Sequence, residues 1–316
     1  MAPKIVVITG PTASGKTKLS IELARIYGGE IVGADSMQIY KYMDIGTAKP
    51  TEEEKRGIPH HMFDFVSPLE SYSVSRYAED ASRAVDDIIS RGKLPIIVGG
   101  TGLYIDALIS GTEFLPDGSG ETREKYSAMY DSVGGDEMLK KLSEFDEYSA
   151  KKLHSNDKKR IVRAFEVYEL TGMTISEHDA MTKTSAPKYD AVKIALSYEN
   201  RDDLYARIND RVDIMMGLGL EAEVRALYDM GLSDKNTSMQ AIGYKEMCEY
   251  IAGKCSLSSA VDTIKLRSRR YAKRQLSWLR RYDDVNMIFW GNPPDFDSGI
   301  RDSTLFLEKH GIIKPY

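Results

Sequence analysis

Short apolar runs alternate with amphipathic stretches over the first hundred residues of the chain. Residues 5–9, Ile-Val-Val-Ile-Thr, predict a buried strand, and a glycine-containing turn follows them. The next stretch places Leu19, Leu23 and Ile26 on one face of a predicted helix. The chain therefore opens as a strand, a loop and a helix.

The same alternation continues. Residues 30–34 and 94–98 are short apolar runs bounded by turn residues, and residues 74–90 between them have the pattern of a helix. Further strand patterns occur at 191–196 and 287–290. Strands that alternate with helices favour a parallel sheet covered by helices.

The periodicity changes in the middle of the chain. From about residue 111 to residue 188 the sequence has helix-like patterns and polar turns without a convincing strand. Helical patterns also fill residues 201 to about 282. We therefore predict an α/β protein in which residues 1–110 and 190–316 form a parallel-sheet core with a helical C-terminal part, and residues 111–189 form an all-helical insertion domain.

Composition limits the classes of protein that need be considered. The 316 residues are 42% hydrophobic and 29% charged, which is near the average for soluble globular proteins. No apolar run approaches the roughly 20 residues of a membrane span. The apolar run near the N-terminus is too short for the hydrophobic region of a secretory signal. Two cysteines are too few for a disulfide framework. We expect a cytoplasmic monomer that does not bind membranes.

Residues 10–17, Gly-Pro-Thr-Ala-Ser-Gly-Lys-Thr, fit the phosphate-binding pattern G-x4-G-K-[ST] between a predicted strand and a predicted helix. Backbone N–H groups and the helix N-terminus would bind a di- or triphosphate, Lys16 would neutralise its oxygens, and Thr17 would ligate Mg2+. The motif does not identify the group attached to the phosphates. The diphosphate-binding residues predicted in this loop are Gly10, Thr12, Ala13, Ser14, Gly15, Lys16 and Thr17.

Asp35 follows the second predicted strand, where residues of a parallel sheet face the ligand crevice. It can be a metal-binding carboxylate, a general base or the N-cap of a helix. Residues 99–104, Gly-Gly-Thr-Gly-Leu-Tyr, follow the next strand without an acidic residue. That absence weakens a nucleotide-hydrolase interpretation.

These segments together resemble the tRNA dimethylallyltransferases, also called tRNA isopentenyltransferases, over nearly the whole chain. The segments that carry the resemblance are 10–17, 35–40, 43–50 (Met-Asp-Ile-Gly-Thr-Ala-Lys-Pro), 59–61, 98–104, 207–223, 242–245 and 270–280. The resemblance implies transfer of a dimethylallyl group from dimethylallyl diphosphate to the exocyclic amine of the adenine next to the anticodon of a tRNA.

The resemblance also implies roles for single residues. Asp35 would be the general base, Arg211 would bind the diphosphate with Lys16, and Thr101 would contact the substrate adenine. Mg2+ would be the cofactor, and the tRNA anticodon stem-loop would be the partner. From spacing alone, Arg211 and Arg207 would be solvated cations on one helix face. The adjoining nucleotide-binding residues would be Ser36, Met37 and Gln38.

A cationic stripe at residues 265–281 holds eight basic residues and no acidic one, although the whole chain has a net charge of −5. Leu266, Ala272, Leu276 and Leu279 are predicted to pack inward while the cations meet RNA phosphates. The stripe taken alone is equally compatible with a solvated helix face. Tyr271 or Trp278 could stack on a base. With the family resemblance, the predicted tRNA-binding residues outside the catalytic loops are Arg123, Lys159, Arg160, Arg163, Gly243, Tyr244, Lys245, Arg269 and Arg270.

Three other functions are compatible with parts of the sequence. A phosphate-binding loop also occurs in kinases that transfer phosphate from ATP to a small metabolite. A related class of enzymes prenylates free adenine nucleotides, although the helical insertion and the basic clusters favour tRNA. An RNA-binding nucleotide switch would bind tRNA without modifying it.

Overall fold

The computed structural model describes residues 2–110, 120–183 and 186–315. The chain forms two compact units, a core unit of Met1–Ile109 and Pro187–Tyr316 and an insertion unit of Ser110–Ala186. The predicted first residue of the insertion, residue 111, lies outside the described residues.

Six strands in the core unit form one parallel sheet. Their bounds are β1 Lys4–Thr9, β2 Glu30–Gly33, β3 His60–His61, β4 Pro95–Val98, β5 Asp190–Tyr198 and β6 Val285–Trp290. The spatial order is β3-β2-β4-β1-β5-β6, and every neighbouring pair is parallel. The sheet with its helices confirms the predicted α/β fold class. The two-residue strand β3 was not predicted.

Helices flank the sheet and build the insertion unit. Their bounds are α1 Lys16–Tyr27, α2 Glu52–Lys55, α3 Val74–Ser90, α4 Gly102–Ser110, α5 Gly120–Val133, α6 Gly135–Ser143, α7 Glu147–Lys152, α8 Lys158–Thr171, α9 Ile175–Lys183, α10 Arg201–Gly217, α11 Leu220–Asp229, α12 Tyr244–Ile251, α13 Leu257–Leu279 and α14 Phe296–Lys309. No described helix is long and apolar enough to cross a membrane.

The sheet is buried on both faces, as its nearly continuous apolar strands require. In β1, Ile5 and Val7 belong to one hydrophobic cluster, which also contains residues of α3, α10, α11, α12 and α13. The alternate residues Val6 and Ile8 belong to a second cluster with residues of α1 and α14. The insertion unit has a cluster of its own, in which Phe165 packs with residues of α6 and α8.

The strand order brings three loops together at the carboxyl edge of the sheet. Val98 at the end of β4 pairs with Gly33 in β2 on one side and with Ile8 in β1 on the other. The loops that follow these strands begin at Gly10, Ala34 and Gly99. They contain the phosphate-loop motif, Asp35 and Thr101, and so the fold places the predicted chemistry in one region.

A buried carboxylate anchors the opposite end of β2. Glu30 is 2% exposed and accepts hydrogen bonds from Arg91, Lys93 and His61. Hydrogen bonds from Arg91, and then those from Lys93 and His61, hold the pKa of Glu30 well below its usual range despite burial. This cluster lies at the start of the strand, away from the loops at its carboxyl end, and therefore contributes to stability.

Candidate active site

A cavity of about 290 Å³ opens in the core unit beside the loops that follow β1 and β2. Its polar lining includes the phosphate-loop residue Thr12, Asp35 and Ser36 after β2, Arg211 on α10, and Tyr271 and Arg274 on α13. Its apolar lining includes Ile208, Val212, Met215, Ile242 and Ile264. The cavity can therefore receive a ligand that is anionic at one end and apolar at the other.

The phosphate loop is shaped by backbone that only particular residues adopt. Gly10 has φ +144°, and a Cβ there would lie 2.5 Å from the carbonyl oxygen of Leu196. The indole of Trp290 donates a 2.8 Å hydrogen bond to the carbonyl of Ser14. The buried Ser14 hydroxyl has no hydrogen-bond partner among the described residues. The hydrogen bond from Trp290 thus fixes the loop backbone, while the Ser14 hydroxyl stays without a hydrogen-bond partner among the described residues.

Lys16 folds back over this loop. Its Nζ donates to the carbonyl oxygens of Gly10, at 3.0 Å, and Pro11, at 2.7 Å. Burial and then the positive charge of Arg211 lower the pKa of Lys16 to about 7, while Asp35 opposes the shift. Two positive charges that repel each other, offset in part by the carboxylate of Asp35, favour the binding of an anion.

Arg211 supplies the second cation. It lines the cavity and forms no ion pair with a carboxylate of the described residues. Burial lowers its pKa, and the charge of Asp35 acts in the opposite direction. Arg207, four residues earlier on α10, does not line the cavity, and its guanidinium lies 5.7 Å from the ring centre of Tyr198. The structure therefore places Arg211, and not Arg207, beside Asp35 and Thr12.

Asp35 is held by its own loop. Its Oδ1 accepts hydrogen bonds from the backbone N–H groups of Met37, at 2.9 Å, and Gln38, at 3.4 Å. Residues 36–39 form a turn, so Asp35 caps a turn and not a helix. Its Oδ2 accepts no hydrogen bond from the described residues, and this oxygen is available to a ligand in the cavity.

Thr101 connects the loops after β2 and β4. Its backbone N–H donates to the carbonyl of Ala34, and its Oγ1 accepts a 3.2 Å hydrogen bond from the N–H of Ser36. Thr101 therefore sets the position of the segment that carries Asp35. The hydroxyl of Tyr271, which also lines the cavity, stays protonated at neutral pH, because burial and the charge of Asp35 raise its pKa to about 12.

A further carboxylate, not anticipated from the sequence, supports the cavity wall. The Glu223 carboxylate accepts hydrogen bonds from the backbone N–H groups of Asp44 (2.8 Å), Ile45 (2.7 Å) and Gly46 (3.1 Å). It also accepts a 2.5 Å hydrogen bond from the hydroxyl of Tyr244. The turn that it holds lines the cavity through Gly46 and Thr47. The amide of Gln38 donates to the carbonyls of Thr47 and Ala48, so Gln38 also fixes this turn.

Tyr244 was predicted to contact RNA, but its side chain is fully buried and bonded to Glu223. Gly243, at the N-terminus of α12, donates its backbone N–H to Glu246. Lys245 is half-buried. We therefore assign the Tyr244 side chain a supporting role inside the core unit.

The cationic stripe is partly neutralised. Lys265 pairs with Asp213 and Arg267 with Glu246, while Arg269 donates a 2.5 Å hydrogen bond to the Asn209 amide oxygen. Other cations of the stripe, including Arg270, Lys273 and Arg274, are exposed and form no ion pair with described carboxylates. The prediction that Leu266 packs inward is wrong, because 40% of Leu266 is exposed. Ala272 and Leu279 are buried as predicted.

The predicted RNA-binding residues of the insertion unit fall into two groups. Arg123 and Arg163 both pair with Glu166, at 3.1 and 2.9 Å, and Glu166 is fully buried. Lys159 and Arg160, at the start of α8, are exposed and form no ion pair with a carboxylate in the described part of the chain. The first group stabilises the unit, whereas the second presents its charge to solvent.

The apolar part of the cavity also went unrecognised in the sequence. On α10, Ile208 and Met215 lie three residues before and four residues after Arg211. That spacing places all three on one helix face. Apolar residues at these positions on either side of an arginine are the signal that could have revealed the cavity wall.

Comparison with known proteins identifies the family. The family model described as IPP transferase matches residues 38–282, and the model described as Isopentenyl transferase matches residues 3–67. The chain is 50% identical to a tRNA dimethylallyltransferase of Caldanaerobacter subterraneus, over 92% of both chains, and 46% identical to one of Acetivibrio thermocellus, over 98% and 99%.

Solved structures agree. A tRNA isopentenylpyrophosphate transferase of Bacillus halodurans superposes with a TM-score of 0.72 at 42% identity, covering 98% of this chain and 96% of that one. A eukaryotic dimethylallyltransferase acting on tRNA gives a TM-score of 0.80 at 29% identity, over 100% of this chain and 81% of that one. The chain belongs to the tRNA dimethylallyltransferase family.

Proposed function

We propose that this protein transfers the dimethylallyl group of dimethylallyl diphosphate to the exocyclic N6 amine of the adenine 3′ to the anticodon in tRNA. The products are N6-isopentenyladenosine and inorganic diphosphate. The observation that carries the proposal is the cavity in which Asp35 and Arg211 lie near the phosphate-loop residue Thr12 and share the lining with an apolar wall that includes Ile208 and Met215. A phosphoryl donor such as ATP has no five-carbon apolar tail for that wall to contact.

The phosphate loop and two cations would receive the leaving group. As the bond between the allylic carbon and the diphosphate oxygen breaks, negative charge collects on the diphosphate. Lys16 and Arg211 are fixed nearby and would stabilise this charge as it develops. The apolar side chains of α10, Ile208 and Met215, would contact the dimethylallyl group and exclude water from it.

Asp35 would accept the proton from the adenine amine. That amine is a poor nucleophile because its lone pair is delocalised into the ring. The new carbon–nitrogen bond forms to the allylic carbon, and the displaced proton passes to the open Oδ2 of Asp35. Thr101 would hold the adenine beside this oxygen. The adenine must leave its stack to enter the cavity, and an anticodon loop is already exposed.

The donor set is suited to Mg2+ bound largely by the substrate. The described residues contain no group of three metal-ligating side chains. Thr17 is exposed at the start of α1, directly after Lys16. Mg2+ commonly has few protein ligands and takes substrate phosphate oxygens and water instead. Thr17 would therefore hold the ion together with the diphosphate, and the ion would neutralise charge on the leaving group.

The experiment is a donor test. The protein is incubated with tRNA, Mg2+ and either dimethylallyl diphosphate labelled in its prenyl group or γ-labelled ATP. We expect prenyl label in the RNA and one inorganic diphosphate for each label, with no turnover of ATP. Labelled phosphate on a small metabolite would support a kinase, and RNA-stimulated ATP hydrolysis without prenylation would support a nucleotide switch. Prenylation of free AMP in preference to tRNA would indicate the class that acts on free adenine nucleotides.

A further inference from the structure

Gln275 is a buried amide in the middle of the cationic stripe. It lies on the inward face of α13 with Ala272 and Leu279, and only 7% of it is exposed. Its neighbours Lys273 and Arg274 are exposed on the same helix. A buried amide is costly unless both of its ends form hydrogen bonds.

Both ends of this amide are satisfied, each by a different loop. Its Oε1 accepts a 2.9 Å hydrogen bond from the backbone N–H of Thr12 in the phosphate loop. Its Nε2 donates a 3.0 Å hydrogen bond to the carbonyl oxygen of Gly100, next to Thr101. The reverse orientation would face N–H against N–H and oxygen against oxygen, so the hydrogen bonds fix the orientation of the amide.

The loop after β4 is built to admit this contact. A Cβ on Gly100 would lie 2.1 Å from the Gln275 Nε2, so any other residue at position 100 would displace the amide. One side chain therefore joins three parts of the site. These are the loop that would hold the donor diphosphate, the loop that carries Thr101, and the helix whose outer face carries exposed cations.

We infer that Gln275 is a positioning residue that sets the distance between the phosphate loop, which would bind the donor, and the loop of Thr101, which would bind the acceptor adenine. Its two hydrogen bonds also connect both loops to α13, the helix with the exposed cations. The inference rests on the proposed function. Transfer requires the allylic carbon and the adenine nitrogen at reacting distance, and a displacement of about 1 Å can lower the rate by about 100-fold. Gln275 contributes without touching either substrate.

The first test replaces Gln275 by Leu, which is close in size and forms neither hydrogen bond. We expect the single-turnover rate of prenyl transfer, at saturating donor and tRNA, to fall by about 10- to 100-fold. The KM for tRNA should change by less than about threefold, because the exposed cations are retained. Thr263→Ala is the matched control, since it removes an exposed side-chain hydrogen bond within the same helix. Its rate should equal that of the wild type.

A second variant reaches the same contact from the other side. Gly100→Ala leaves Gln275 intact but would displace its amide. If both variants break the same contact between Gln275 and the loop of Gly100, the double variant should be no slower than the slower single variant, since the effects of mutations at sites that share a contact are not additive. Effects on the rate that multiply in the double variant, or a Gln275→Leu rate within twofold of wild type, would overturn the inference.

A readout independent of prenyl transfer separates this inference from the proposed function. Hydrogen exchange of backbone amides in residues 10–16 should be faster in Gln275→Leu by about tenfold, because Thr12 loses its acceptor. Unchanged exchange in this peptide would overturn the inference even if the wild-type protein prenylates tRNA. Faster exchange in a protein that fails to prenylate any RNA would contradict the proposed function and leave the tie to the phosphate loop supported.

Discussion

Replacing Glu223 by Gln tests how the cavity wall is held. The carboxylate accepts hydrogen bonds from the backbone N–H groups of residues 44–46 and from the hydroxyl of Tyr244. A glutamine keeps one oxygen, and its NH2 group would face donors that then lack an acceptor. Each donor left unpaired costs about 1–3 kcal/mol, and so we expect the free energy of unfolding to fall by about 2–4 kcal/mol. For a unit of this size the melting temperature should fall by roughly 2–4 °C per kcal/mol.

The same change should lower turnover, because Gly46 and Thr47 of this turn line the cavity. The assay combines thermal unfolding with the steady-state rate of prenyl transfer measured well below the melting temperature. Glu221→Gln is the control, since Glu221 lies on the same helix and forms an ion pair with Arg225 at the surface. It should change stability by less than about 1 kcal/mol. A Glu223→Gln protein with the stability and turnover of the wild type would refute the reasoning.

Three further predictions concern charges. Asp35→Asn should retain affinity for inorganic diphosphate in calorimetry and lose about 10²–10⁴ in the rate of transfer, and a loss of diphosphate or Mg2+ affinity with the rate preserved would instead make Asp35 a metal ligand. Lys16→Ala and Arg211→Ala should each slow transfer at saturating donor, since the leaving diphosphate loses a cation. Glu30→Gln should lower the free energy of unfolding at pH 7 by about 2–4 kcal/mol. Because the pKa of Glu30 is lowered in the folded protein, that difference should be constant above pH 5 and shrink as urea titrations are repeated at lower pH.

The RNA surface gives a prediction that depends on the pairing seen in the structure. Log affinity for an anticodon stem-loop should fall linearly with log salt, and Arg270→Ala should reduce the slope by about 0.7 for a contact to single-stranded RNA. An unchanged slope would remove Arg270 from the interface. Arg267, which is paired with the buried Glu246, should affect stability more than the slope.

The central strands and the convergence of the loops were predictable from the sequence. Buried apolar runs mark β1, β2, β4 and β5, and residues after parallel strands meet at one edge of the sheet. The strand β3 gave no such signal, because it consists of only His60 and His61. It exists because its backbone pairs with Ile31 and Val32 of β2, a partnership that depends on tertiary structure.

The supporting residues of the site could not be predicted because their partners are far away in the sequence. Glu223 binds a turn about 180 residues earlier in the chain, and Gln275 binds Thr12 and Gly100. A run of cations likewise does not reveal which of its members pair internally, as Arg267 does with Glu246. Local periodicity carries no information about such contacts.

The most direct test of the account is to locate the transferred group. The protein is incubated with anticodon stem-loop RNA, Mg2+ and dimethylallyl diphosphate, and the RNA is digested to nucleosides and analysed by mass spectrometry. The account predicts N6-isopentenyladenosine at the adenine 3′ to the anticodon, formed by the wild-type protein and at a much lower rate by Asp35→Asn. Adenosine that stays unmodified while the donor or ATP is consumed would contradict it.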